Sequence, residues 1–596
     1  MPGIAGIIAA PAGNHRQAVL NSMVSCMMHE PFYSSGQCLL EEAGVSAGWV
    51  CHQGSYSDCL PIWNKSRDVC LLFWGEHFDG REDTAAGLVD LYEKAGAGFF
   101  ELLNGTFHGL VTDLRENKVV LFNDRYGLAR IYYHEAPDGF YFSAEAKSLL
   151  KVLPQLRRLD MQGLGEFFSC GCALQGRTLF QGVSLLPPGS IWTFRPGQPV
   201  HKAACFKKDD WEAQAPLAAE DYYQRLKETF NRILPKYFGG RQKVGLSLTG
   251  GLDSRMIIAG APCAPGQLPC HTFGGMYRDC EDVRISREVA RRCGQPHRVI
   301  TVDRDFFPHY FEQAKRCVYI TDGAMDVSGS VGLFVNRRAR ELAPIRMTGN
   351  YGSEILRGAV TFKPNHVDES LFAPEFAPNL RNAAATFAGE KKGHPLSFIA
   401  FKQVPWHHFC RFAEENSQLT IRSPYLDNEL VRLAYQAPPG LLLNKQLAYR
   451  YTTETNPALV GAPTDRGNLA RPPLVPVKAF VWWKEFLPKA EYCYDYGMPQ
   501  WLAKVDRVLS PLHFERLFLG RQKYYHFRIW YRRELAGPLR EVLLDPGALR
   551  RPYLHGPRVE QIVQAHTSGS GNYTLELHKL LTSELIQRSL LEKPSR

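Results

Sequence analysis

The stretch from Lys243 to Ile258 fixes more of the architecture than any other part of this 596-residue chain. Lys243-Val244-Gly245-Leu246 alternates polar with apolar side chains, the period of a strand. Met256, Ile257 and Ile258 then continue as an apolar helical turn. Between them lies Ser247-Leu248-Thr249-Gly250-Gly251-Leu252-Asp253-Ser254. A Gly-Gly turn between strand and helix lets backbone N–H groups converge with no Cβ in the way. The helix that follows adds its unpaired N–H groups and its dipole, so an anion is favoured there. Thr249 and Ser254 supply hydroxyls, and Asp253 supplies a carboxylate able to hold Mg²⁺ beside a pyrophosphate. The common phosphate loop is excluded, because no Gly-Lys-Ser/Thr follows the glycines.

This segment resembles the S-G-G-x-D-S pyrophosphate loop of the ATP pyrophosphatases, with Thr249 in place of the first Ser. The resemblance makes Leu248, Thr249, Gly250, Gly251, Asp253 and Ser254 candidate contacts to ATP. From about 218 to 475, strands and helices alternate, which predicts a parallel sheet with helices on both faces. Leu268–Phe273 reads as the next strand, ending at Gly274-Gly275, and Arg298–Val302 as a third. Ligands of open parallel sheets bind at the carboxyl ends of strands, so Thr272, Phe273 and Gly274 are placed to grip an adenine. Glu281–Cys293 reads as an amphipathic helix, with Asp282 among the charges of its outer face.

Residues 1 to about 200 read as β-rich, with strands at Val69–Trp74, Gly109–Asp113, Lys118–Phe122, Ile131–His134 and Phe140–Phe142. Phrases here resemble the glutamine amidotransferase domain of class B asparagine synthetases. They are Gly3-Ile4-Ala5-Gly6-Ile7, Gly75-Glu76, Leu103-Asn104-Gly105-Thr106-Phe107, Asn123-Asp124-Arg125-Tyr126-Gly127 and Phe142-Ser143-Ala144-Glu145-Ala146-Lys147. The resemblance implies an Ntn-hydrolase-like αββα sandwich. The chemistry is not carried over. That mechanism needs a Cys directly after the initiator Met, and this chain has Pro2. Trp74 stands at the oxyanion-hole Asn, and Glu30 at the substrate-binding Arg. A scaffold without glutaminase activity is therefore expected.

A fourth strand, Ile345-Arg346-Met347, leads into Thr348-Gly349-Asn350-Tyr351-Gly352-Ser353-Glu354-Ile355-Leu356-Arg357-Gly358. This resembles the family's Ser-Gly-Glu-Gly-Ser-Asp-Glu-Leu-Phe-Gly signature with one residue more, and Thr348 and Gly349 join the nucleotide candidates. In the register adopted, Glu354 falls on the metal-binding Asp and Tyr351 on the catalytic Glu, where β-lactam synthetases also carry a tyrosine. In the alternative register, Asn350 and Ser353 take those places. Asp322, Asp326 and Ser328 resemble a segment near the acyl substrate, and Arg422-Ser423-Pro424-Tyr425-Leu426-Asp427 one that braces the synthetase core. The family's catalytic lysine has no counterpart in Pro463-Thr464-Asp465-Arg466-Gly467, which leaves Arg466 as the cation.

The expected organisation is a degenerate amidotransferase-like region at 1–200, an ATP-pyrophosphatase-type parallel α/β region at 215–475 and an extension at 476–596. The extension is aromatic and basic, as in Phe527-Arg528-Ile529-Trp530-Tyr531-Arg532-Arg533, and packing against the synthetase is preferred to polymer binding. The net charge of +10 is compatible with nucleotide substrates and does not argue for nucleic acid. Fifteen cysteines without paired Cys-x-x-Cys sets read as reduced core residues. No signal sequence and no apolar run of about 20 residues is found, so the cytoplasm is the expected compartment. The resemblance implies a ligase that uses ATP and Mg²⁺, held by Asp253 and Glu354, to join a small-molecule or peptide carboxylate to an amine or ammonia. Ammonia-dependent asparagine synthesis and a non-catalytic nucleotide-binding scaffold are the alternatives. A homodimer is left open.

Overall fold

A computed structural model describes residues 2–8, 15–79, 84–440, 445–464, 489–517 and 519–592. Twelve strands precede residue 205: β1 (Gly3–Ile8), β2 (Tyr33–Leu40), β3 (Val45–His52), β4 (Ile62–Trp63), β5 (Val69–Gly75), β6 (Phe107–Asp113), β7 (Lys118–Asn123), β8 (Tyr132–Ala136), β9 (Gly139–Ser143), β10 (Ser184–Leu185), β11 (Ser190–Phe194) and β12 (His201–Ala204). They form two antiparallel six-stranded sheets, ordered β10-β8-β9-β1-β3-β2 and β12-β11-β7-β6-β5-β4. The period of two decides the layering. In β1, Ile4 and Ile8 face the core between the sheets with Trp49, Leu72, Trp74 and Leu121, while Ala5 and Ile7 face helix His15–Met27. On the far side, Phe73, Val111 and Phe122 lie under helix Leu88–Ala95. The layers are therefore helix, sheet, sheet, helix, as the resemblance implied.

The second half holds five parallel strands, β13 (Val244–Ser247), β14 (Cys270–Gly274), β15 (His297–Thr301), β16 (Ile345–Met347) and β17 (Thr420–Arg422). Their order is β15-β14-β13-β16-β17. Strand order reverses at β13, which pairs with β14 on one side and β16 on the other. That switch point opens a crevice at the carboxyl ends of β13 and β16, where α/β folds bind ligands. Four of these strands fall where the sequence predicts them; β17 carries Arg422 of the bracing segment.

Arg422 is the hinge pin between the halves. Its Nε and NH2 donate to the two oxygens of Glu76 at 2.8 and 2.6 Å, and its NH1 donates to the Tyr237 and Gly239 carbonyls. Beside it, Asn104 donates to Asp427 at 2.8 Å and accepts from the Asn428 N–H, and Tyr126 donates to Asn428. Glu30 accepts from Arg316 and Gln418, and Asp322 accepts from the Ala146 and Lys147 N–H groups and from Lys147 Nζ. The expectation that Asp322 lies near the acyl substrate is thus corrected. Its carboxylate turns into the first half, where two N–H groups at the start of helix Ala146–Val152 stabilise its charge.

The extension is helical. Phe527, Trp530 and Tyr531 are fully buried, and Arg528 is buried against Asp506 and the Tyr494 carbonyl. From Phe527 to Tyr531 the basic aromatic segment is core and presents no aromatic stripe to a polymer. Among the described residues no helix is long and apolar enough to cross a membrane, and the cysteines are unpaired.

Candidate active site

The loop after β13 opens into a cavity of about 330 Å³. Of the expected nucleotide residues, Leu248, Thr249, Asp253, Ser254, Thr272, Phe273, Thr348 and Gly349 line it. Gly250, Gly251 and Gly274 do not. Gly274 is packed against β15, where a Cβ would stand 2.8 Å from Val299. Leu248 is held by its N–H to the His271 carbonyl, and Thr272 closes the same edge by donating to the Leu248 carbonyl at 3.0 Å. The Phe273 ring lies 5.0 Å from the Arg346 guanidinium and 5.9 Å from the Tyr524 ring.

The loop satisfies its own donors. Gly250 N–H donates to Asp282 at 2.6 Å, Thr249 N–H to Ser254 Oγ at 3.1 Å, and Gly251 N–H to Thr249 Oγ1 at 3.3 Å. Asp282 is thus not a member of a solvated face. It sits in the first turn of helix Glu281–Arg292 and turns its carboxylate onto the glycine N–H. Arg255 ties the loop to the Ala462 and Pro463 carbonyls, and Tyr425 donates to the Asp253 carbonyl at 2.7 Å. The described chain therefore reaches Thr464 beside the loop; Arg466 lies outside the described residues.

A second cavity of about 430 Å³ shares Asp253, Met325, Gly349, Asn350 and Arg411 with the first. Tyr351, Ser353, Glu354, Thr361, His407 and His408 also line it. Tyr351 occupies the left-handed region at φ 71°, which directs the following helix, Gly352–Arg357, back onto the loop. Burial holds its phenol well above the ordinary range, with Glu415 and Glu354 adding to the shift. Burial pushes His408 down to about 3, so its imidazole is neutral; Nε2 lies 3.0 Å from Thr361 Oγ1 and 4.0 Å from Glu354. Burial also raises Glu354, and pushes Glu414 of the first cavity up to about 8 with Glu415 beside it.

The metal assigned to Asp253 and Glu354 does not fit this geometry. Arg357 grips both oxygens of Asp253, NH1 to Oδ1 at 2.8 Å and NH2 to Oδ2 at 3.0 Å, and Ser353 Oγ donates to Oδ2 at 2.8 Å. A divalent ion and a guanidinium at ion-pair spacing repel by about 8 kcal/mol at an effective dielectric of about 20. Ser353 and Arg357 of this segment thus both touch Asp253. Among the described residues no group of three His, Cys, Asp or Glu could hold an ion.

In the first half, Pro2, Trp74, Gly75 and Glu76 line a cavity of only about 50 Å³, room for a few waters. Trp74 stacks on His108 at 4.7 Å. Asp326, expected near the acyl group, is engaged by the Ser328 N–H and hydroxyl, while Ser328 itself lines the first cavity. Sequence reasoning did not single out Arg346, Arg357, Arg411, Glu414, His408, Tyr524 or Tyr525. Their only signal was position, since Arg346 and Arg357 flank the Thr348–Ser353 segment.

Residues 225–403 match the asparagine synthase family and residues 68–203 a glutamine amidotransferase domain family. Glutamine-hydrolysing asparagine synthetase 1 of Bacillus subtilis is 22% identical over 258 residues, covering 43% of this chain and 40% of that protein. Its second glutamine-hydrolysing asparagine synthetase is 26% identical over 271 residues, covering 40% and 35%. The chain thus spans less than half the length of these relatives. A solved B. subtilis glutamine phosphoribosylpyrophosphate amidotransferase covers 50% of this chain and 65% of its own at 10% identity and a TM-score of 0.24, too slight an overlap to argue from. Both family matches, in that order along the chain, together with these relatives, support an asparagine synthetase-like family member.

Proposed function

We propose that the protein is an ATP-dependent ligase that adenylates a carboxylate and passes the acyl group to an amine. The observation that carries this reading is the pair of joined cavities at the strand-order switch point. One is lined by Leu248, Thr249, Thr272, Phe273, Thr348 and Gly349, the other by Tyr351, Glu354 and His408, and they share Asp253 and Gly349. The first takes the nucleotide, with Phe273 against the base. A carboxylate oxygen attacks the α-phosphorus, and pyrophosphate leaves. The amine then attacks the acyl carbon from the second cavity, the tetrahedral centre collapses, and AMP leaves with the C–O bonding pair. Magnesium enters as part of the nucleotide substrate, and no step is assigned to a protein-held ion.

The proton lost by the amine needs an acceptor. Tyr351 was the candidate by resemblance; its raised phenol makes it a donor that orients the acyl oxygen. Glu354 of the same cavity, a carboxylate whose pKa burial raises, accepts the proton, and neutral His408 lies 4.0 Å from it. Arg466 stabilises the negative charge of the leaving phosphates. Residues 1–200 act as a scaffold without glutaminase activity, a reading supported by Pro2, by Trp74 and by the small cavity around them.

The test is ATP–pyrophosphate exchange across a panel of carboxylates, from aspartate to peptides. Exchange that depends on one acid supports the ligase and names its substrate class. A non-catalytic nucleotide-binding scaffold is the competing reading, favoured by the loop's internally satisfied N–H groups. ATP binding without exchange for any acid would decide for it.

A further inference from the structure

We propose that Arg357 is the resident counter-cation of the loop after β13: its guanidinium occupies the place at Asp253 that a divalent ion would take, and the loop carries no metal of its own. The planar fork matches the carboxylate edge to edge, a geometry that a lysine or a hydrated ion does not reproduce. The pair is walled in. The Arg357 side chain is 9% exposed and that of Asp253 16%. Ser353 adds its hydroxyl to Oδ2, and Arg357 NH2 also donates to that hydroxyl, so three groups close into one cluster.

On one side, backbone presses close to Asp253. A Cβ on Gly352 would stand 2.7 Å from Asp253 Cβ and Cγ, and one on Gly349 would stand 2.6 Å from the Ser254 nitrogen. The helix Gly352–Arg357 is pressed directly against Asp253. Magnesium keeps several of its waters when it binds protein carboxylates, and at Asp253 both oxygens are already taken by Arg357 and Ser353. On the other side of the loop, Asp282 occupies the Gly250 N–H. Both features that would have engaged a metal–phosphate complex are thus filled by side chains of this chain. A nucleotide bound here must bring its own cation or displace Arg357 from Asp253.

The proposal goes beyond the ligase reading and is measured without nucleotide, so either can fail alone. The probe is Mn²⁺, followed by loss of its free electron-spin resonance signal on titration with the full chain. Wild type and Asp253→Asn are expected to leave the same amount of Mn²⁺ free. Arg357→Gln uncovers Asp253 and is expected to bind Mn²⁺ about 10–100-fold more tightly, a gain that Asp253→Asn in the same chain removes. Arg357→Lys keeps the charge and is expected to bind no more Mn²⁺ than wild type. Stoichiometric Mn²⁺ binding by wild type that Asp253→Asn abolishes overturns the proposal, as does a folded Arg357→Gln with no gain. If Arg357→Gln does not fold, the comparison of wild type with Asp253→Asn decides the matter alone.

Discussion

Breaking the Glu76–Arg422 pair tests how the two halves are held together. Both side chains are nearly inaccessible, at 10% and 5%, so solvent screens the pair little. Removing one partner of such a pair leaves an uncompensated buried charge, which costs about 3–5 kcal/mol. The two single variants should differ, however. In Glu76→Gln, the guanidinium keeps the Tyr237 and Gly239 carbonyls at 2.8 and 2.7 Å, so the loss falls at the lower end, about 3 kcal/mol. In Arg422→Met, the carboxylate is stranded and two carbonyls lose their donor as well, so the loss is about 5 kcal/mol. The double variant removes both charges and should cost about 2 kcal/mol less than the sum. Urea unfolding at pH 7, followed by tryptophan fluorescence and circular dichroism, gives all three values from the first transition. Additivity within about 0.5 kcal/mol, or a Glu76→Gln loss under about 1 kcal/mol, would show that the halves are held by something else.

Acid should destabilise the fold through histidines that burial keeps neutral. His108 is pushed down to about 3, and its Nε2 accepts the Ile4 N–H at 3.2 Å, so protonation would set two N–H groups against each other. Because the folded value lies below the unfolded one, this stability is present above about pH 6.5 and is lost as pH falls, by about 2 kcal/mol at pH 5. Melting temperature against pH should therefore fall less steeply in His108→Gln; an unchanged slope sinks the assignment. Gly275→Ala would place a Cβ 2.4 Å from the Tyr524 carbonyl oxygen, at a cost of about 1–3 kcal/mol, and push that wall off the first cavity. Weaker binding of a fluorescent ATP analogue with only a modest drop in melting temperature is the expected readout, and unchanged binding excludes Tyr524 from the site. Glu354→Gln should keep ATP–pyrophosphate exchange and slow amide formation by about 10²-fold or more. Equal loss in both assays would place Glu354 outside proton transfer.

Local patterns carried the strands and the loop into view. Expected at Val69–Trp74, Gly109–Asp113 and Ile345–Met347 from runs bounded by turn residues, the strands lie at Val69–Gly75, Phe107–Asp113 and Ile345–Met347. What escaped was long-range and electrostatic. Arg357 and Asp253 are 104 residues apart, and no periodicity announces that they meet. Asp282 sits on the polar side of an amphipathic helix, where a charge normally faces water, and only the loop's approach makes it a hydrogen-bond acceptor. The resemblance placed Asp322 near the acyl group; the backbone turns at that residue, at φ 51°, and sends the carboxylate elsewhere. Glu30, Glu76 and Asn104 had meaning in the sequence only as parts of an amidotransferase. In the structure they are the groups that grip Arg316, Arg422 and Asp427.

The wall built by Tyr524 and Tyr525 sets an order of events during synthesis. Every other residue lining the first cavity lies between Ser247 and Glu415, so that crevice is translated long before its last side is. Helix Thr574–Ile586 comes later still, and its Thr582 hydroxyl accepts the Val327 N–H two residues from Met325, which lines both cavities. Domains generally fold as units as they emerge, amino-terminal part first. Here the nascent α/β sheet must wait with an open flank, and a ribosome that stalls before residue 524 leaves a chain whose pocket cannot close around a substrate. The first cavity is in this way left incomplete until residues 524 and 525 have been made.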